Sequence, residues 1–277
     1  MSTQSDIFIE KWVSPILTYR WQNDSLSEFS QNNYGIIILD NDTVVGFLGF
    51  IYSTRLLDKM PYRYANASTW AIDDGYRIYM FKAMKMAMKN IDIISDFTAC
   101  KAVESSMLNV FKFKYLDQKI FKFFPFPYIG KSHIILQPIN TINDIDNSTI
   151  KIEFQDHQQY GIKCVKFSLN TSNTSNAYIF YKYEIKHKPY RGTRKTITIL
   201  KISDPKFAST FAFEWIWKLI HYEKATSIEI DSRFFGQYKI KYPFYYKIKP
   251  TNRLILTHAN LDKSNIDFLY SEVSMLP

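Results

Sequence analysis

The pattern of apolar and polar positions along residues 34–53 is that of a β-hairpin. Gly35-Ile36-Ile37-Ile38-Leu39 is β-branched and apolar, Asp40-Asn41-Asp42 supplies turn chemistry, and Thr43 to Tyr52 resumes the strand. A further strand is expected over 64–72, ending at Asp73-Asp74-Gly75. The period then becomes helical. Tyr76, Tyr79, Met80, Ala83, Met84, Ala87 and Met88 recur on one face, Lys82, Lys85 and Lys89 line another, and Asp73 or Asp74 can cap the start. A strand over 91–98, a helix over 102–111 and a strand over 114–124 follow, and Pro125 and Pro127 close the unit. Residues 137–149, rich in Asn, Asp, Thr and Ser, read as a linker.

The second half repeats this order. Strands are expected over 161–169, 177–186 and 196–202, then Ser203-Asp204-Pro205 places Asp at an N-cap and Pro at the first helical position. The helix over 206–222 carries Phe207, Phe211, Trp215 and Leu219 at steps of four, with Ala208, Ala212, Ile216 and Ile220 beside them. That is apolar around most of its circumference and predicts a buried helix; a strand over 226–231 follows. In both halves a strand runs into an Ile-X-Asp turn and then a helix, at Ile72-Asp73-Asp74 and at Ile202-Ser203-Asp204. The expected organisation is therefore an N-terminal domain over 1–136, a linker over 137–149 and a C-terminal domain over 150–277.

Composition narrows the chemistry. The 277 residues are 46% hydrophobic and 22% charged, which excludes wholesale disorder, and the 8 glycines leave few for phosphate-cradling loops. A net charge of +9 favours anionic partners, but the charge is dispersed, and its densest run is Lys186-His187-Lys188 with Arg191, Arg194 and Lys195. Nucleic acid is not expected as a partner. The two cysteines, Cys100 and Cys164, with no secretory signal and no apolar run long enough to span a membrane, lead to the expectation of a cytoplasmic protein. Five scattered histidines give no metal-ligand spacing.

Three segments carry a family resemblance. The hairpin Asp40-Asn41-Asp42-Thr43-Val44-Val45-Gly46-Phe47-Leu48-Gly49 resembles the charged turn and V-G-F-x-G of the second and third strands of GNAT-type N-acyltransferases. Ser68-Thr69-Trp70-Ala71-Ile72-Asp73-Asp74-Gly75-Tyr76-Arg77 is similar to the family's fourth strand and its V-x-P-x-Y-R approach to the cofactor loop. Leu108-Asn109-Val110-Phe111-Lys112-Phe113-Lys114-Tyr115 resembles the x-x-x-G-F-x at the end of the family's fourth helix. The resemblance covers residues 34–124, and in the second half it rests on element order alone. It implies an α/β fold of two GNAT-like mixed-sheet domains in tandem.

It also implies a site. In that family acyl-CoA lies where the fourth and fifth strands splay apart; the pantetheine pairs with the fourth strand like an added strand, and the pyrophosphate rests on amides that open the next helix. Carried over, acetyl-CoA or another acyl-CoA, as co-substrate, is expected at Ile72, Arg77, Ile78, Tyr79, Met80, Phe81 and Lys82. Met80 and Lys82 stand where the family has glycines, so their side chains are expected to crowd the phosphate seat, with Lys82 offering a compensating charge. Asp96, near the end of the fifth strand, is the candidate base for an ammonium proton. Cys100 and Tyr115 are further candidates, each with a plain packing role as its competitor. The implied activity is acyl-CoA-dependent N-acyl transfer to a small amine such as an amino sugar or amino acid, in surface-polysaccharide synthesis. The alternative is a catalytically inactive binding or scaffold protein of the same fold.

Overall fold

The computed structural model describes residues 7–11, 35–57, 60–89, 91–116, 119–170, 172–188, 192–240, 242, 245–248, 253–257 and 266–275. The chain divides into two compact units. One takes Met1–Leu116, Thr251–Leu261 and Tyr270–Val273, the other Asp117–Pro250, Asp262–Leu269 and Ser274–Pro277.

The first unit is built on β1 (Ile7–Lys11), β2 (Gly35–Asp40), β3 (Thr43–Leu57), β4 (Met60–Ile72), helix α1 (Arg77–Met88), β5 (Ile93–Asp96), α2 (Lys101–Asn109) and β6 (Lys114–Tyr115). The second follows with β7 (Ile120–Phe123), β8 (Ile134–Ile139), α3 (Ser148–His157), β9 (Lys163–Leu169), β10 (Ser172–Lys188) and β11 (Gly192–Ile202). It continues through α4 (Pro205–Thr210), α5 (Ala212–Tyr222), β12 (Ser227–Asp231) and β13 (Tyr245–Ile248). β14 (Leu254–Thr257) belongs to the first unit. A last short helix, α6 (Glu272–Met275), follows.

Each unit holds one seven-stranded mixed sheet, ordered β1-β2-β3-β4-β5-β14-β6 in the first and β13-β7-β12-β11-β10-β9-β8 in the second. Among the described pairings each sheet has a single parallel pair, β4 with β5 and β11 with β12, each joined by a helical crossover. Read from β1 and from β8, the two orders are the same, and in each sheet the strand next to the crossover pair comes from the other part of the chain. β14 enters the first sheet between β5 and β6, and β7 enters the second between β12 and β13.

This exchange corrects the expected boundaries. The strand read over 114–124 is two strands in two sheets, β6 and β7, and the division falls at Leu116 rather than at 136. Residues 137–149 are not a linker: they hold the end of β8, a 3-10 turn at Ile142–Asp144 and the start of α3. Their polar side chains serve as caps, with Asn147 accepting the Ile150 N–H at 3.1 Å and Asp144 bonding to Thr141. The helix read over 206–222 bends at Phe211 into α4 and α5, as expected mostly buried, with Trp215 fully enclosed and its indole N–H donating to the Ala208 carbonyl at 2.8 Å.

In the first unit α1 lies over β2 and β3. Met80, Ala83, Met84 and Ala87 enter a core with Ile36, Ile38, Leu48, Phe50, Ala65, Ala67 and Ile94, which is the face the helical period predicts. Gly46 lets β3 and β4 approach, since a Cβ there would meet the Ile72 side chain at 2.9 Å.

Candidate functional site

β4 and β5 pair over only three positions, Tyr64 with Ile93, Ala65 with Ile94 and Asn66 with Ser95. β5 then ends at Asp96, while β4 runs on to Ile72. A bulge at Ser68, which has no partner between the Gly49–Thr69 and Phe50–Ala67 pairs, bends β4 just past the last pair. Burial changes at the same point. Residues 64–67 are all buried, whereas Thr69 and Ala71 are exposed and Ser68, Trp70 and Ile72 half-buried. β4 thus diverges from β5 as an open arm. Among the described residues the Trp70 indole N–H on this arm is buried without a hydrogen-bond partner.

The arm leads into α1 through a 3-10 turn at Asp74–Tyr76. Neither Asp73 nor Asp74 caps the helix, contrary to expectation: the N-cap is Tyr76, which makes no side-chain cap bond, and the Asp74 carboxylate instead pairs with Arg77 at 2.5 Å on the surface. The Tyr76 N–H is bonded to the Asp73 carbonyl within the 3-10 turn that runs into α1, and the amides of Ile78 and Tyr79 lie ahead of the intrahelical ladder. Arg77 and Ile78 are exposed.

The remaining positions of the expected cofactor loop are already helix, and their amides belong to the ladder. Met80 is buried in the core, so its side chain turns away from the helix start and does not crowd it. Phe81 packs on Phe111 with ring centroids 5.7 Å apart, and Lys82 is exposed with its ammonium 5.3 Å from the Tyr79 ring centre. The Tyr76 hydroxyl bonds to the Asp40 carboxylate, which anchors the junction to the β2–β3 turn and raises the phenol's pKa.

Asp96 ends β5 at the mouth of the divergence and is 4% exposed. Burial pushes its carboxyl up to about 6 against bonds from the Thr98 and Ala99 amides, the first at 3.1 Å. Sequence reading missed a group at the vertex itself. Ser95 accepts the Asn66 amide at 2.8 Å and bonds to the Tyr64 hydroxyl, and the Arg55 guanidinium stands 4.6 Å over the Tyr64 ring. Tyr64, Asn66 and Ser95 are fully buried. The signal for it is three polar-tipped side chains at Tyr64, Asn66 and Ser95 inside otherwise apolar strand runs.

Other candidates do not join this site. Cys100 is exposed at the N-cap of α2 without a cap bond, and Cys164 lies buried in the second unit. Tyr115 is on β6, which β14 separates from β5, and its hydroxyl bonds to Glu104. In the basic run Lys186–Lys195, residues 189–191 lie outside the described residues; β10 and β11 pair up to Lys188 and Gly192. Among the described residues no helix is long and apolar enough to cross a membrane.

The second unit repeats the arrangement with different fittings. β11 and β12 pair at Thr196–Ser227, Ile197–Ile228 and Thr198–Glu229, and the bulge falls at Leu200. Here the helix start is capped as expected, with Asp204 Oδ1 accepting the Phe207 N–H at 2.8 Å and Pro205 at the first helical position.

No protein-family model matches the sequence, and no curated protein matches it. Solved structures do. A GCN5-related N-acetyltransferase from Anabaena variabilis aligns with a TM-score of 0.56 at 11% identity, over 90% of this chain and 72% of that one. A probable N-acyltransferase from Enterococcus faecalis aligns with a TM-score of 0.56 at 8% identity, over 91% and 72%. A GCN5-related N-acetyltransferase from Kribbella flavida gives 0.50 at 8% identity, over 91% and 71%. Likeness at this identity concerns the fold, and the fold of this chain is the GNAT type, built as two GNAT-like mixed-sheet units in tandem.

Proposed function

We propose that the first unit binds an acyl-CoA and transfers its acyl group to a small amine. The observation that carries this reading is the open arm of β4 beyond Asn66, which leads into a helix with no side-chain cap at its N-terminus. An exposed strand edge suits an amide-bearing pantetheine, and the first-turn amides of Ile78 and Tyr79 with the Arg77 side chain suit a pyrophosphate.

The amine nitrogen would attack the thioester carbonyl of acyl-CoA, the C–S bond would break as the amide forms, and CoA would leave as its thiolate, taking its proton from solvent. Asp96, raised to about 6, is mostly ionised at neutral pH and accepts the proton of the acceptor's ammonium group. Acetyl-CoA is the first donor to test. An amino sugar or amino acid is the acceptor class, and a role in surface-polysaccharide synthesis is the setting the resemblance implies. The competing reading, a scaffold without catalysis, is favoured by one observation: Phe81 and Lys82, at the end of the family's glycine loop, are already helix.

Calorimetry and thermal unfolding with acetyl-CoA decide between the two. A ligand at a hundred times its dissociation constant stabilises the folded chain by about 2.7 kcal/mol. No heat and no stabilisation at millimolar acetyl-CoA would leave only the scaffold.

A further inference from the structure

The second unit has the same strand divergence, and there the arm is covered. Past the last pair, Thr198 with Glu229, the β11 residues Ile199, Leu200 and Ile202 are all buried, where of the matching β4 residues Ala67 is buried and Ser68 and Trp70 are only half-buried. The cover is a short stretch of the chain itself, Ile266-Asp267-Phe268-Leu269, all four residues buried. On the β11 side the Phe268 N–H donates to the carbonyl of Leu200, the bulge residue, at 2.9 Å. Asp267 stands 3.3 Å from the Lys201 ammonium. On the side beyond β12, Arg233 donates to the Ile266 carbonyl at 2.7 Å, and the Phe234 and Phe268 rings meet edge to face at 5.4 Å. Arg233 is held in turn by Asp231, with Nε and Nη2 each 3.2 Å from a carboxylate oxygen.

We propose that the strand divergence of the second unit is a binding slot for an extended peptide, and that its ligand is the chain's own Ile266-Asp267-Phe268-Leu269. The slot grips backbone from both sides, through the Leu200 carbonyl and the Arg233 guanidinium, and reads two side chains: an aromatic on Phe234 and a carboxylate on Lys201. This is the place that, on the proposed function, acyl-CoA takes in the first unit. Resting on that reading, the chain binds one acyl-CoA rather than two. Asp204 and Pro205 work in the same direction, because one first-turn amide of α4 is taken by a carboxylate and another is missing.

Hydrogen exchange and titration on the full chain test this together. The Phe268 amide should exchange at least about a hundredfold slower than in an unstructured peptide, as expected of a locally stable segment. Phe268→Ala should speed exchange across 266–269 and across Ile199–Ile202, while α1 is unaffected. Exchange at 266–269 as fast as in a free peptide overturns the proposal, and so does a titration with two equivalents of acetyl-CoA per chain. One equivalent, with slow exchange at 266–269, supports it. Zero equivalents with slow exchange refutes the proposed function and leaves the peptide slot standing.

Discussion

The two strand-to-helix junctions start from nearly the same local sequence and end as different devices. At Ile72-Asp73-Asp74 the strand arrives half-buried, the aspartates leave the helix start without a side-chain cap, and Arg77 and Ile78 reach the surface. At Ile202-Ser203-Asp204 the strand arrives buried, Asp204 caps the helix, and Phe207 and Ala208 go straight into the core. The backbone frame is common to both: three parallel register pairs, a bulge on the longer strand, and a helix at its end. What differs is who satisfies the groups that the frame exposes. In the second unit the protein satisfies them, with a carboxylate, a proline and a peptide segment. In the first, no side chain caps the helix start, and that asymmetry is why the site is proposed in the first unit.

If the second junction is structural, its helix should carry stability. Trp215 is fully buried, donates to Ala208 at 2.8 Å and packs on Phe167 at a centroid distance of 5.9 Å. Trp215→Ala should lower the unfolding free energy by about 3–5 kcal/mol, the usual range for emptying so large a volume. Urea denaturation reads this directly, and a loss below about 1 kcal/mol would mean the second core is looser than its burial says.

The first unit should show the opposite trade at Asp96. Its carboxyl is raised from 3.8 to about 6 chiefly by burial, so the folded chain binds a proton there that the unfolded chain releases. The stability this gives is complete below about 3.8 and is lost as pH rises through about 6. Asp96→Asn removes the charged form and should raise stability at pH 8 by up to about 3 kcal/mol, since each tenfold change in proton affinity is worth about 1.4 kcal/mol. The same change should remove N-acyl transfer, while in the unmodified protein the rate falls as pH drops through about 6. A variant that is more stable and equally active would retire Asp96 as the base.

Much of this architecture was legible in the sequence, and what was not has physical causes. The hairpin, the helix over 76–88 and the capped helix at Asp204 were readable because each is fixed by local periodicity and turn chemistry. The exchange of β7 and β14 was not, because Lys114-Tyr115 and Ile120 to Phe123 read as one strand, and their sheet membership depends on partners far along the chain. Asp74 reads as a cap as well as Asp204 does. The difference is that Tyr76 bonds to Asp40, 36 residues away, and fixes the junction one turn later. The family resemblance located the region of the candidate site. It did not foresee the vertex of Tyr64, Asn66 and Ser95, since polar residues inside a strand look like solvent-facing positions until both faces are covered.

Charge at the open junction gives a smaller, sharper test. Arg77 and Lys82 are exposed and lie outside the core, so Arg77→Glu with Lys82→Glu should leave the urea midpoint nearly unchanged. Acetyl-CoA binding should weaken more than tenfold, which is over about 1.4 kcal/mol. The matching change at Lys206 in the second unit should not affect binding at all. Calorimetry that finds equal losses for both would place the site elsewhere.

The smallest expected effect compares the two aspartates themselves. Asp204→Ala removes a carboxylate that accepts the Phe207 N–H at 2.8 Å in a part-buried setting, and should cost about 1 kcal/mol, the usual loss for a cap. Asp74→Ala removes an exposed pair with Arg77, 89% and 73% accessible at the two side chains, and should be nearly silent in stability. It should act on binding instead, because Arg77 freed from Asp74 can turn toward an anion, and acetyl-CoA affinity should hold or rise. The contrast is what matters: identical substitutions at sequence-equivalent positions, one read in the urea midpoint and the other only in ligand affinity. Equal stability losses at both positions would show that the first helix is capped in solution after all, and with it the first-turn amides would no longer be available to a phosphate.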